Sequence, residues 1–312
     1  MKAKISIFWA RELSAKLFAR SRGQIEVADR EIPNRAWAFW AQGEKNLDPM
    51  VEICIESWRL YGGFEEIHVL DASSVFSFVP RDSLPSSFPT LPVQIQSDLV
   101  RLALLGRYGG VWMDASTLVT FPVVAWLNRF SRQSGLFLFQ NPGAGKGGRR
   151  FETGVIAAVG GHPFVEAWLD LMVRFFRRPR IHRAHSATSD APMLAKKVFA
   201  ALNVFLRKTA RRSAFWAWPP LVWLPFYPFF IVHYLGNRVL SRQEHRGLLD
   251  SVELVTADKY LNLRRTSNDL GWVEALLQAD LTRVPTHDVE FRKESSDEEI
   301  SALKSFLSRA RS

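Results

Sequence analysis

A strand, a helix and a second strand follow one another near the start of the chain, and that order limits what it can fold into. "RAWAFW" (Arg35–Trp40) is an apolar run preceded by Pro33 and followed by the polar loop "AQGEKNLDP". "DPMVEICIESWRLYGG" then has helical spacing, with Pro49 at an opening position and Gly62 and Gly63 as a stop. "FEEIHVLD" reads as a second strand that ends in Asp71. Strand, helix and strand at this spacing make a βαβ unit, the start of an α/β sheet.

The pattern continues. After a Pro/Ser-rich loop, "QSDLVRLALLGRYGG" predicts a helix with Ser97 as N-cap and Gly106 or Gly109 as its end. "VWMD" predicts a third strand, "GLFLFQN" (Gly135–Asn141) a fourth and "ETGVIAAV" a fifth. "PFVEAWLDLMVRFFRR" predicts a helix behind them, and no internal repeat is present. With 47% hydrophobic residues in 312, there is material for a sizeable core. The single cysteine, Cys54, excludes an internal disulfide framework; its apolar setting, "MVEICIESW", reads as core.

Charge says more about partners. The net +10 is clustered at the N-terminus, in "RFFRRPRIHR" (Arg174–Arg183) and in "RKTARR" (Arg207–Arg212), beside aromatic runs. That mixture suits an anionic membrane surface better than nucleic acid, for which no zinc-finger, homeodomain or RNA-recognition spacing is present. Residues 1–24 put Trp9, Leu13 and Leu17 on one helical face with Lys and Arg elsewhere. This describes a basic amphipathic helix, either lying on a membrane or packed on the domain. Its apolar run is too short for a signal peptide. "AFWAWPPLVWLPFYPFFIVHYL" (214–235) has no Lys, Arg, Asp or Glu and is long enough to cross a bilayer if helical. Pro219, Pro220, Pro225 and Pro228 oppose a straight helix, so a buried or membrane-docking surface is expected over a spanning one.

Two motifs invite over-reading. "NPGAGKGGRR" (Asn141–Arg150) looks like a phosphate loop, but Gln140 and Gly147 stand where that motif needs Gly and Ser or Thr. It reads as a Gly/Arg loop after a strand. The seven histidines show no two-ligand spacing, and His182 with His185 makes no zinc site. A third constellation is stronger. Asp98 and Arg101 share a helical face at i and i+3, and Asp114 ends the strand that this helix leads into. Open α/β sheets bind ligands outside the carboxyl ends of their strands, so two acids and an arginine can converge there. Each alone would be an ordinary surface or turn residue.

Together, "SDLVRLALLGRYGGVWMDAS" resembles the core motif of GT-A glycosyltransferases, in particular the capsular polysaccharide synthesis family. More distant resemblance is to the initiating mannosyltransferases and the clostridial glucosylating toxins. "IPNRAWAFWAQGEKNLDPMVEICIESWRLYGGFEEIHVLD" resembles that family's opening, and "FETGVIAAVGGHPFVEAW" and "YPFFIVHYLGNRVL" resemble its later segments more loosely. The resemblance implies a GT-A-like, Rossmann-type mixed sheet flanked by helices, with a helical, aromatic-rich C-terminal part. It implies a nucleotide-sugar core over 25–175, completed as one domain by an acceptor- or membrane-facing part over 176–312.

The same resemblance implies roles for single residues. Asp98 and Arg101 would hold the donor sugar, and Asp114 would contact ribose or sugar and approach a metal. Trp40, Gln42 and Tyr108 would line the nucleotide-sugar pocket. Ser116 stands where the wider superfamily has a second, metal-binding Asp. A hydroxyl is a poor substitute on Mg²⁺ or Mn²⁺, which favour anionic oxygen. Either a divalent cation binds Asp114, Ser116 and a distant ligand, or Arg and Lys carry the leaving-group charge. His287, in "VPTHDVEFRK", is the candidate distant ligand; its other reading is an exposed histidine in a polar tail.

The expected activity is hexose transfer from a nucleoside diphosphate sugar to a capsular or other cell-surface glycan, free or lipid-linked, with retention of configuration implied by the family. The expected place is the cytoplasmic face of the membrane, held peripherally. The rival is a catalytically inactive membrane scaffold that keeps the fold.

Overall fold

The computed structural model describes residues 31–141, 149–178, 181–182, 226–227, 230–245, 247–251, 286–288 and 297–309. The βαβ unit forms as expected: β1 (Arg35–Phe39), α1 (Pro49–Tyr61) and β2 (Glu66–Leu70), with the two strands parallel. Asp48 caps α1, its carboxylate accepting from the Met50 amide at 3.0 Å, and Pro49 takes the first helical position.

The next helix, α2 (Val93–Tyr108), begins earlier than its sequence suggests. Pro92 sits before the first turn and its carbonyl accepts from the Ile95 and Gln96 amides. Ser97 therefore lies inside the helix rather than capping it, and Gly106 is interior too. The stop is Gly109, at φ 65°, where a Cβ would come within 2.6 Å of the Gly160 nitrogen. Strand β3 (Gly110–Met113) follows directly.

Besides short single-turn helices, of which Leu248–Ser251 is one, the further described elements are β4 (Thr117–Val119), α3 (Val123–Ser131), β5 (Leu136–Gln140), β6 (Phe151–Ala158), α4 (Pro163–Phe176), β7 (Ile181–His182), β8 (Phe226–Tyr227), α5 (Ile231–Leu240), β9 (Thr286–Asp288) and α6 (Asp297–Arg309). Five strands form one sheet in the order β2-β1-β3-β6-β5. The first three are parallel, and β6 runs antiparallel to both β3 and β5. The architecture is thus an α/β mixed sheet flanked by helices.

Alternation along the strands builds two core layers. Trp37, Trp112, Leu138 and Ile156 face Leu99, Leu102, Phe164, Trp168 and Leu235. Ala36, Ala38, Val111, Met113, Phe137 and Phe139 face Val51, Ile55, Trp58 and Trp126. A third, smaller cluster ties the far end of the chain to its beginning. Leu303 and Leu307 of α6 pack on Met50, Ile53, Cys54 and Leu118, so Cys54 is a core residue as its setting suggested. Burying a leucine of this kind stabilises by about 2 kcal/mol.

Of the charge-free stretch 214–235, the described part ends in α5, whose Ile231, Val232 and Leu235 are buried against α4 and β6. The Trp168 indole donates to the Val232 carbonyl at 3.0 Å. No helix among the described residues is long and apolar enough to cross a membrane. Segment 1–24, loop 142–148 and the basic cluster 207–212 lie outside the described residues.

Candidate active site

The strand order sets the site. From β1 the chain goes to β2 on one side and then to β3 on the other, so a topological switch lies between β1 and β3, where open sheets hold ligands at the carboxyl edge. Trp40 follows β1, Asp71 follows β2 and Asp114 follows β3, all at that edge. Because β6 is antiparallel, its first residues reach the same edge. The Asp114 amide donates to the Gly154 carbonyl at 2.7 Å, which puts Glu152 and Thr153 beside it.

Arg101 is the hub. Its side chain, 4% exposed, reaches from α2 to Asp114 Oδ1 at 2.7 Å and lies 3.3 Å from Asp98 Oδ1. It also stacks over the Trp112 ring at 4.9 Å, and the Trp112 indole donates to the same Asp114 oxygen at 2.9 Å. The contact with Asp98 is an ion contact without hydrogen-bond alignment. Arg101 Nε and Nη1 are buried and make no hydrogen bond among the described residues, Nη1 having only that ion contact with Asp98. The arginine is therefore held in place with donors left over.

Burial pushes the Asp98 carboxyl up to about 7; the nearby Asp114 adds to the rise and Arg101 opposes it. Burial, and then the Asp98 charge, also raises the Tyr227 hydroxyl, which places β8 against this cluster. Asp114 is half exposed, and both of its hydrogen bonds to described side chains fall on Oδ1. Asp71 is different: the Ser73 and Ser74 amides and the Ser73 hydroxyl all donate to its Oδ1 and hold it down at about 2.

The structure brings most of the sequence-predicted residues together. Asp98, Arg101 and Asp114 converge. Ser116 lies two residues on, in a turn closed by the Thr117 amide donating to the Asp114 carbonyl at 2.8 Å. The Trp40 indole donates to the Asn46 carbonyl at 3.2 Å, and the Gln42 carbonyl accepts from the Asn46 amide group at 2.9 Å; both residues sit in the loop after β1. His287 is carried by β9, which pairs antiparallel with β4 so that His287 lies opposite Leu118, two residues past Ser116. Tyr108 is not brought in. It ends α2 about 15 Å along the helix from Asp98, at the amino end of β3, and donates to the Phe78 carbonyl at 2.9 Å beside Trp37. Its neighbour in sequence is the glycine stop, so the helix carries it away from the carboxyl edge.

A second polar cluster was not singled out from sequence. Glu152, buried at the start of β6, accepts from Asn141 Nδ2 at 2.5 Å and pairs with Arg149. His233 of α5 stands 4.0 Å from Glu152 Oε2 and stacks on Phe151. Its ring is 5% exposed, and neither nitrogen has a hydrogen-bond partner among the described residues. Burial, then the charges of Arg149 and Arg101, keep it neutral, well below the usual histidine range. The signal was a charged residue opening an apolar strand, but its meaning depends on β6 running antiparallel, which no local pattern shows.

Among the described residues, no three His, Cys, Asp or Glu side chains gather as a metal site. Among these residues a divalent cation would need a carboxylate oxygen, such as Asp114 Oδ2, completed by phosphate oxygens of a ligand.

The chain is similar to several known proteins. Residues 9–184 match the family model described as "Capsular polysaccharide synthesis protein". The chain is similar to the O-glycosyltransferase braB of Annulohypoxylon truncatum, 32% identical over 45% of this chain and 37% of that one. It is also similar to the glycosyltransferase afumC of Aspergillus fumigatus, 34% identical over 30% of this chain and 27% of that one. The O-glycosyltransferase PaGT of Phomopsis amygdali is 32% identical over 30% and 26%. The chain thus aligns with well under half the length of these relatives. A solved PaToxG glycosyltransferase is similar at 16% identity over 76% of this chain and 96% of that one, with a TM-score of 0.37, too loose to argue from. With more than half of its length matched by that model, the chain belongs to the capsular polysaccharide synthesis protein family.

Proposed function

We propose that the chain transfers a hexose from a nucleoside diphosphate sugar to a hydroxyl of a cell-surface glycan. The observation that carries this reading is Arg101, buried between Asp98 and Asp114 at a strand switch point, with two nitrogens that make no hydrogen bond among the described residues. A planar guanidinium held this way matches a phosphate or a diol, and the family's relatives named above are glycosyltransferases, two of them O-glycosyltransferases.

In the reaction the bond from anomeric carbon to diphosphate oxygen breaks and a bond to the acceptor oxygen forms. Retention, which the family resemblance implies, has the acceptor attack on the face that the diphosphate leaves; the acceptor proton can then pass to the departing phosphate, so no protein base is assigned. Negative charge grows on the diphosphate, and pre-positioned donors such as those of Arg101 stabilise it. Asp98 and Asp114 accept from hexose or ribose hydroxyls, Trp40 stacks on the base and Gln42 lines its pocket. Mg²⁺ or Mn²⁺ on Asp114, with Ser116 and His287 nearby in the fold, would supply further positive charge to the leaving group. The basic clusters would hold the chain at the cytoplasmic membrane face, at about 1 kcal/mol per Lys or Arg near an anionic surface.

Isothermal titration of the full chain with UDP, GDP and CDP, with and without Mn²⁺, tests this. One diphosphate should bind, and more tightly with Mn²⁺. Binding that ignores Mn²⁺ would assign the leaving-group charge to Arg and Lys. Binding of none would overturn the transferase reading and leave the scaffold.

A further inference from the structure

The capture of the hexose has a second wall. We infer that His233 and Glu152 together read one hydroxyl of the donor hexose, making α5 a specificity-determining element of the site. This rests on the transferase reading above.

The geometry comes from close packing. Gly236, one turn after His233, lets α5 lie against β6 and α4. A Cβ there would meet Phe151 at 2.6 Å and Trp168 at 2.9 Å. With no side chain in the way, the helix stacks the His233 ring beside Phe151, centroids 5.9 Å apart, with its Nε2 4.0 Å from Glu152 Oε2. Two atoms that far apart do not bond to each other. One oxygen placed about 2.8 Å from each, an ordinary hydrogen-bond length, closes the triangle between them. That oxygen must donate to the carboxylate and accept from the imidazole. A hydroxyl does both.

The surroundings exclude the other ligand classes. An anion would face Glu152 at close range, and a cation would face Arg149 and Arg101. A neutral ring nitrogen is the partner a sugar hydroxyl needs, and burial beside two arginines holds it neutral. A buried ring whose nitrogens make no hydrogen bond among the described residues is destabilising, and a ligand hydroxyl relieves that on binding. The donor is the source rather than the acceptor because of depth. The ring is 5% exposed and senses the charge of Arg101, the residue that joins Asp98 to Asp114. Arg149, 36% exposed, pairs with Glu152 and stacks on Phe230 at 4.5 Å.

The test uses the full chain and two variants, His233→Phe, which keeps the ring stack, and Glu152→Gln. Affinities are measured for UDP against UDP-glucose and UDP-galactose, and for GDP against GDP-mannose and GDP-glucose. In the wild type one epimer should bind more tightly than its partner and than the bare diphosphate. Each variant should shrink that epimer preference at least tenfold while the bare diphosphate changes less than twofold, since a site built around a hydroxyl loses discrimination with its partner. An epimer preference unchanged in both folded variants overturns the inference, whether melting falls or not, because a buried water between the two side chains would then account for the pair. Unchanged donor affinity with lost turnover also overturns it, assigning the hydroxyl to the acceptor. A wild type that binds no nucleotide at all fails earlier, and sinks the transferase reading itself.

Discussion

Asp71 and Asp114 occupy equivalent places, each just past a parallel strand at the same edge of the sheet, yet their surroundings differ. Asp71 is satisfied by its own chain: two backbone amides and a serine hydroxyl within three residues donate to one oxygen. Asp114 is satisfied from elsewhere, by Arg101 of α2 and the indole of Trp112, and through Arg101 it is joined to the buried Asp98. A carboxylate served by its own turn has a local role. One held by a buried arginine from another element, half exposed and with its hydrogen bonds to described side chains all on one oxygen, has the setting that the proposed ligand-binding role requires. The type and position of the residue do not separate the two; the origin of the donors does.

Removing the arginine should break the comparison most severely. Arg101→Met leaves Asp98 buried without its countercharge, and losing one partner of a buried pair costs about 3–5 kcal/mol. The expected result is a melting temperature lower by roughly 10 °C at pH 8 and donor affinity reduced more than a hundredfold. Thermal melting and titration with the nucleoside diphosphate sugar check both. A variant that melts like the wild type and binds donor normally would make the Arg101 cluster as local as the Asp71 turn.

Asp98 sharpens the contrast through pH. Its folded value of about 7 lies above the ordinary 3.8, so the folded protein holds a proton that the unfolded chain has released. From this group, stability falls as pH rises from about 4 to about 7, by at most about 1.4 kcal/mol per unit. Asp98→Asn removes that slope. The variant should therefore melt higher than the wild type at pH 8 and gain little at pH 5, while its donor affinity drops about tenfold, the loss of one charge-assisted hydrogen bond. Stability and binding moving in opposite directions at pH 8 is what a strained functional carboxylate gives.

Much of this was legible beforehand, for physical reasons. The βαβ unit, the i, i+3 spacing of Asp98 and Arg101, and the strand-ending Asp114 are local patterns, and chain geometry alone brings them to one edge. What was not legible depended on partners distant in sequence. Strand β4 is three residues long and is stabilised by β9, from residue 286 onward. Helix α2 starts at Val93 because Pro92 supplies its first carbonyl acceptor, a cue weaker on paper than Ser97. Glu152 reaches this edge only because β6 is antiparallel, and His233 approaches it only because Gly236 lets α5 lie against β6. Within the charge-free run 214–235, His233 is the one titratable nitrogen base, and a polar ring in an apolar helix is the cue that was passed over.

The smallest effect is expected at Asp71, and it is the control on which the comparison turns. Asp71→Ala removes a side chain that accepts from the Ser73 and Ser74 amides at the opening of the turn Ser74–Ser77, a loss of about 1 kcal/mol for such a hydrogen bond, lessened here by solvent. Its carboxyl is held at about 2, below the ordinary 3.8, so its stabilisation is present above pH 4 and fades as pH falls toward 2. Melting of the variant and the wild type should differ by a few degrees at pH 7 and converge near pH 2, with donor affinity within twofold throughout. If Asp71→Ala instead lowered donor affinity tenfold without changing melting, its second oxygen, which faces the Gly43 backbone in the loop that carries Gln42, would have to reach the nucleotide. The two strand-ending acids would then be one site, and the division between local turn and hub would fail.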